Sequence, residues 1–227
     1  MLSVECHAHS SASYDGRDDV TALLERASAI GLDALAVTDH DHFASSLDAA
    51  ERAPAYDLVG IPAMEVTSAA GHVLAYGIDE SIPAGRPFGA TVDRIHDAGG
   101  IAIVPHPFQK TRSGVMANIS KTELARADAI EVYNSRLLTG FANRRAARFA
   151  REHGIPAIAG SDAHVDQMVG RAITRVDADP TAESIIAAIA AGDTEIDGRR
   201  TPLHLSVRQA AGGAKRRFRN RLAGLLD

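Results

Sequence analysis

Apolar runs of strand length alternate with helix-spaced segments along most of the chain. LSVEC (2–6) alternates with a period of two and breaks into polar residues at His7. VTALLERASAI (20–30) has helical spacing, with Gly31 where a C-cap glycine is expected. LDALAVTDH (32–40) is a buried strand that runs into polar residues, and DLVGIPAMEV and HVLAYGI are two further strands joined by TSAAG. A helix through ATVDRIHDA ends at Gly99-Gly100, and the strand IAIVPHP follows. TELARA, DAIEVYN, FANRRAARFAREHG and IPAIAGSDAH repeat the helix-then-strand rhythm, and AESIIAAIAAG is a last amphipathic helix. This alternation predicts an α/β fold with a parallel sheet, and about seven such units favour closure into a barrel.

The polar residues that interrupt the strands are not spread at random. His7 and His9, Asp39 and His40, Glu65, His106, Asn134, and Asp162 with His164 all fall just past the expected C-terminal ends of strands. In a β/α barrel those ends converge on one mouth, where the active site is built. One strand-end histidine is most simply a hydrogen-bonded or surface residue. His-x-His, Asp-His, Glu, His and Asp-x-His after successive strands point instead to a shared metal centre. Neutral imidazoles and carboxylates suit zinc, manganese or iron, and a carboxylate can bridge two ions.

Composition narrows the chemistry further. Cys6 is the only cysteine among 227 residues, so neither a disulfide framework nor a thiolate cluster is available. A 45% hydrophobic fraction supports a substantial core. With no apolar run of membrane length and no charged-then-apolar leader, the chain is expected to be soluble and cytoplasmic, without a membrane span. The net charge of −5 hides an asymmetry: from residue 199 onward there are eight basic residues and one acidic, while the acidic excess lies in 1–198. The expected division is a body, 1–198, and a basic C-terminal tail, 199–227, able to contact nucleic acid. Within the tail, Gly212-Gly213 precedes the cluster Lys215, Arg216, Arg217, Arg219 and Arg221, and Leu222, Leu225 and Leu226 suggest a short amphipathic end.

HAHSSASYDG, VTDHD, AMEVTSAAGHVLAYG, IVPHPF and GSDAH resemble, in order, the motifs of the PHP (polymerase and histidinol phosphatase) family. The resemblance runs from about residue 4 to residue 176. It implies a distorted (β/α)7 TIM-like barrel holding two or three divalent ions (Mn, Zn or Fe) and a metal-dependent phosphoesterase activity. Carried onto this chain, His7, His9, Glu65 and Asp162 would hold one ion, Glu65 with His72 and His106 a second, and Asp15, His40 and His164 a third. Asp15 replaces the histidine of histidinol-phosphatase-type members, which turns the expected substrate toward a nucleotide, a short nucleic acid end or another phosphorylated small molecule.

Other residues carry smaller expectations. Glu65 and Asp162 are the expected catalytic carboxylates, Asp39 orients a ligand or closes a turn, and Arg171 in VGRA is placed to grip phosphate. Glu131 and Asn134 are candidates to support the site. His42 is expected on a solvated loop, and His96 and His153 are expected to be structural. Two other functions remain open: an amidohydrolase-like enzyme, whose barrels also begin with His-x-His, and a non-catalytic metal-binding accessory domain.

Overall fold

A computed structural model describes residues 1–109, 114–137 and 139–205. The basic cluster from Lys215 to Arg221 and the leucines after it lie outside the described residues. The strands are β1 (Leu2–Ala8), β2 (Ala34–Val37), β3 (Val59–Thr67), β4 (His72–Tyr76), β5 (Ile101–Val104), β6 (Ala129–Asn134), β7 (Ala157–Gly160), β8 (Ala172–Val176) and β9 (Thr194–Gly198). The α-helices are α1 (Val20–Ala29), α2 (Ala44–Arg52), α3 (Phe88–Asp97), the single turn α4 (Lys121–Leu124), α5 (Phe141–His153) and α6 (Ala182–Ala191). None of these is long and apolar enough to cross a membrane.

One nine-stranded sheet, in the order β7-β6-β5-β4-β3-β2-β1-β8-β9, curls into a nearly closed barrel. The expected α/β barrel is present, but seven parallel units are not. β4 and β8 run against the other strands, as their antiparallel pairings with β3, β5, β1 and β9 show. The cause at β4 is local. Only Ser68–Gly71 separates it from β3, whereas a parallel return needs a crossover of about a dozen residues or more. Ser68 closes that turn through its backbone N–H and its hydroxyl, both donating to Gly71 O.

The helices pack where the apolar periodicity places them. Leu23, Leu24 and Ala27 of α1 lie with Leu35 and Val37, and Val92 and Ile95 of α3 join Ala102, Val104 and Phe149. A third cluster takes one or two buried residues from every strand but β9, among them Val4, Ala34, Ile61, Leu74, Ile103 and Ile158. Ile185 and Ile189 of α6 complete it. These residues come mostly from the first halves of the forward strands, so α6 plugs the end of the barrel opposite the histidines.

β7 pairs with β6, but the barrel closes without a ladder on its other side, towards β1, β8 and β9. Side chains satisfy the free edge of β7 instead. Thr194 Oγ1 donates to Ala157 O (2.8 Å), and Thr174 Oγ1 both accepts from Ala159 N (2.9 Å) and donates to Ala159 O (3.0 Å). Glu5 Oε1 accepts from Ser161 N (3.0 Å). Backbone pairing resumes only at the mouth, where His9 N donates to Ala163 O (2.7 Å) and Ala163 N to His7 O (3.1 Å). Burial pushes the Glu5 carboxyl up to about 7 even though His7, Ser161 and Gly170 all donate backbone N–H groups to it.

The seam makes a testable demand. Thr174→Val keeps the shape but orphans the Ala159 N–H and C=O in a dry interior, at a cost of about 2–4 kcal/mol. Urea unfolding should show that loss; an unchanged midpoint would mean the seam is held by packing alone.

Candidate active site

The mouth of the barrel gathers residues from six strands. His7 lies near the end of β1 and His9 just after it, His40 follows β2, and His106 lies two residues past β5. Asp162 and His164 follow β7, and Asp15 reaches in from the loop before α1. Three placements differ from the expectation of residues just past strand ends: His7 is inside β1, Glu65 inside β3, and Asn134 is the last residue of β6. His72 begins β4, and because β4 is reversed its first residue arrives at the mouth.

Glu65 is the point on which the others converge. Its Oε2 lies 3.4 Å from His7 Nε2, 3.2 Å from His9 Nε2 and 3.3 Å from His40 Nδ1. Its Oε1 lies 2.8 Å from His72 Nδ1 and 3.5 Å from His106 Nε2. His9 Nε2 and His7 Nε2 face each other at 3.1 Å. At the far side Asp15 Oδ2 is 2.7 Å from His164 Nε2 and 3.8 Å from His40 Nε2. Asp162 Oδ1 is 3.7 Å from His9 Nε2 and 3.3 Å from His164 Nδ1. All nine residues expected as ligands are therefore in one cluster.

This donor set fits divalent cations. Three overlapping groups, His7–Glu65–His106, His7–His9–Asp162 and His9–His40–Glu65, each bring three ligand atoms within 4.8 Å of one another. His40 Nδ1, Glu65 Oε1, His72 Nδ1 and His106 Nδ1 are buried and have no hydrogen-bond partner among the described residues. Buried polar atoms are rarely left so, and a cation supplies the missing partner.

The charges are strongly coupled. Burial alone would push Glu65 up, but the nearby His40, His72, His7 and His106 rings outweigh it and hold the carboxyl well below its usual range. Asp162 is likewise held low against burial by Arg136, His164 and His7. Burial, reinforced by neighbouring cations, lowers His9 and His164 and takes His40 down to about 4. Burial opposes protonation of His7 and His72 too, yet nearby carboxylates raise both.

A second layer fixes these groups. Glu131, at the middle of β6, sits 3.0 Å from His7 Nδ1 and accepts from His106 N (2.8 Å) and Asn134 Nδ2 (2.9 Å). Holding Nδ1 leaves His7 Nε2 free to face the centre. Asn134 Nδ2 also donates to Asp162 Oδ2 (3.2 Å). Gly160 leaves room for this packing: a Cβ there would stand 2.4 Å from Glu131 Oε1 and 2.5 Å from His7 Cβ. His106 and Asp162 both have left-handed backbones, with φ of +31° and +50°, which non-glycine residues adopt at a cost.

Asp39 is placed as a brace. Its carboxylate accepts from Ser10 N, Ser10 Oγ and Ser45 Oγ, tying the first loop to α2. Arg171 is not brought into the cluster. The guanidinium found there is Arg136, whose Nη1 donates to Asp162 Oδ1 (2.7 Å) and lies against the His164 ring. Arg136 follows YNS after β6, and its only sequence signal is that position two residues past a strand end. His42 bonds to Ser45, His96 to Asp128, and His153 packs on Phe149, all outside the cluster.

A family profile described as PHP-associated, PHP_C, matches residues 140–194, the span that holds Asp162 and His164. The same fold recurs in a Bacteroides vulgatus two-domain protein containing a predicted PHP-like metal-dependent phosphoesterase, at TM-score 0.75. Residues 140–194 match a PHP-associated profile, and the chain shares its fold with PHP-like proteins. Identity to that PHP-like protein is 21%, over 87% of this chain and 65% of the other. The lesion-specific endonuclease Q of Pyrococcus furiosus is similar at TM-score 0.63 and 19% identity, covering 86% of this chain and 57% of that one. An amidohydrolase from Chromobacterium violaceum is similar at TM-score 0.58 and 19% identity, over 90% of this chain and 96% of that one. An uncharacterized protein of Methanocaldococcus jannaschii is 30% identical over 116 residues, 49% of each chain. The chain thus aligns with about half the length of that relative.

The coupling sets a pH dependence in the metal-free protein. Unfolded, His40 takes up a proton near 6.5; folded, it resists protonation down to about 4. Between those values the folded state binds fewer protons, so the stability from neutral His40 is full above about 6.5 and lost as pH falls to about 4. The loss is on the order of 3 kcal/mol. In EDTA, His40→Asn should lose less stability than the wild type between pH 7 and 4. Parallel urea curves for the two proteins would place His40 outside the coupled cluster.

Proposed function

We propose that this chain is a metal-dependent phosphoesterase that hydrolyses phosphate esters of nucleotides or short nucleic acid ends. The observation that carries this reading is the convergence of five imidazoles on the buried carboxylate of Glu65, with four polar atoms of the cluster lacking a hydrogen-bond partner among the described residues. His7, His9 and Asp162 would hold one ion with Glu65, His72 and His106 would share Glu65 with a second, and Asp15, His40 and His164 would hold a third. Manganese, zinc and iron all match these nitrogen and oxygen donors. Divalent ions in such a site supply Lewis acidity, lowering the pKa of water and offsetting the charge on phosphoryl oxygens.

The chain's own side chains set the geometry. Glu131 and Asn134 orient His7 and Asp162, and Arg136 keeps Asp162 anionic while adding positive charge at the wall. Tyr14 stacks on His40 with ring centroids 4.7 Å apart and 17° between planes, yet remains 60% exposed. An aromatic face at the mouth is a ready platform for a nucleobase. Just past His106 in the chain, a cavity of about 170 Å³ is lined by Phe108, Gln109, Met116 and Arg145. Arg145 lies 4.7 Å above the Phe108 ring, a pairing suited to an anionic, aromatic substrate.

A panel of phosphomonoesters, nucleotides and 5′-ended oligonucleotides, with amide substrates as a contrast, tests the reading on protein purified without chelators. Phosphoester turnover lost in EDTA and restored by Mn, Zn or Fe is expected; turnover of amides alone would overturn it. Glu65→Gln and Asp162→Asn should each abolish turnover with the fold intact. Because Glu65 is the proposed bridge, its variant should lose more than one ion per chain by metal analysis. Full metal content in Glu65→Gln would remove the shared-carboxylate assignment.

Tyr14→Ala separates nucleotides from smaller esters. It should raise KM for a nucleotide about tenfold, in line with roughly 1–3 kcal/mol for one base–aromatic stack. Hydrolysis of a small chromogenic ester should change little. Equal effects on both substrates would mean that Tyr14 supports His40 and does not bind a base.

A further inference from the structure

Most guanidinium groups with ion pairs on the described surface have one acidic neighbour each: Arg52 with Asp48, Arg94 with Glu80, Arg126 with Asp93 and Arg175 with Asp197. Three others are brought together without one. β8 and β9 pair antiparallel with Ala172 opposite Gly198, and one step further Arg199 N donates to Arg171 O at 2.7 Å. Residues directly opposite on such a pair project to the same face, so two like charges stand side by side. The third is Arg26 in the last turn of α1. That turn abuts the same segment: a Cβ on Gly170 would lie 2.3 Å from Ile30 Cδ1.

Arg171 senses the other two. Burial, then the charges of Arg199 and Arg26, push Arg171 below its ordinary value. Arg26 Nε is buried and has no hydrogen-bond partner among the described residues. Among the described residues no carboxylate forms an ion pair with any of the three. Like charges placed opposite each other destabilise a sheet edge, and in a body rich in acids an uncompensated trio calls for a counter-anion.

We infer that Arg26, Arg171 and Arg199 form a phosphate-binding site on the outer wall of the barrel, separate from the histidine cluster. Phosphate suits it because its several oxygens and double charge can take hydrogen bonds from more than one guanidinium fork. The wall it occupies backs onto the metal-type pocket. Arg171 N donates to Ser161 Oγ (2.9 Å), and Ser161 immediately precedes Asp162. The phosphate belongs either to a small free anion or to the backbone of a nucleic acid strand whose end enters the pocket.

Two probes on the full chain in EDTA distinguish these sources: pyrophosphate, read by thermal midpoint, and a short labelled single-stranded DNA, read by anisotropy across salt concentrations. The variants are Arg171→Gln with Arg199→Gln, and Arg26→Gln alone. Without ligand the double variant should melt at or above the wild-type midpoint, because mutual repulsion is removed. If the ligand is a small anion, pyrophosphate should raise the wild-type midpoint and leave that of the double variant unmoved. If it is a strand, the double variant should bind DNA on the order of tenfold more weakly, with a salt slope smaller by about 2. Arg26→Gln should show about half of either effect. Identical responses of wild type and variants to both probes would overturn the site.

Discussion

A single carboxylate buried among five imidazoles constrains the rest of this protein. Glu65 is almost wholly removed from water, as are His7 and His9, and among the described residues Glu65 Oε1 and a ring nitrogen each of His40, His72 and His106 have no hydrogen-bond partner. Such a cluster is costly to assemble, since desolvated charges need partners and like-charged rings repel. It persists because every member is anchored to a strand or to a loop pinned at a strand end. The same arrangement becomes favourable when divalent cations supply the missing partners, so metal affinity and fold stability are coupled here.

The barrel's irregularities serve that cluster. Reversal of β4 is forced by a four-residue link, and it delivers His72 to the mouth from the start of a strand. The incomplete ladder beside β7 lets Glu5, Thr174 and Thr194 close the barrel with side chains. Left-handed backbones at His106 and Asp162 turn both side chains inward, with the His106 N–H held by Glu131 and the Asp162 carboxylate held by Arg136 and Asn134. Local strain is thus concentrated where the chemistry is and offset by the layer behind it.

Residue type and spacing made much of the site legible. His-x-His after an alternating strand, Asp-His after a buried one and Asp-x-His after a late one are local patterns, and all lead to the cluster. Arg171 and Arg136 show where such reading stops. Arg136 lies two residues past β6 and Arg171 immediately precedes β8, and neither position by itself says which guanidinium enters the site. Arg136 points to Asp162 because β6 and β7 are neighbours in register, while Arg171 continues the β8–β9 ladder and turns to the outer face. Glu131 was equally ambiguous, being a buried acid in a strand that only sheet curvature brings beneath His7.

The sequence by itself determined the strand–helix rhythm, the barrel class and the chemistry gathered at one end, because each depends on side-chain periodicity and on residues within a few positions of a strand end. Only the tertiary structure decided the direction of β4 and β8, the side-chain seam along β7, the choice of Arg136 over Arg171, and the position of Glu65 at the centre of the histidines. Those properties depend on register and curvature across the whole sheet. They arise from distances between residues far apart in the chain, which no local pattern specifies.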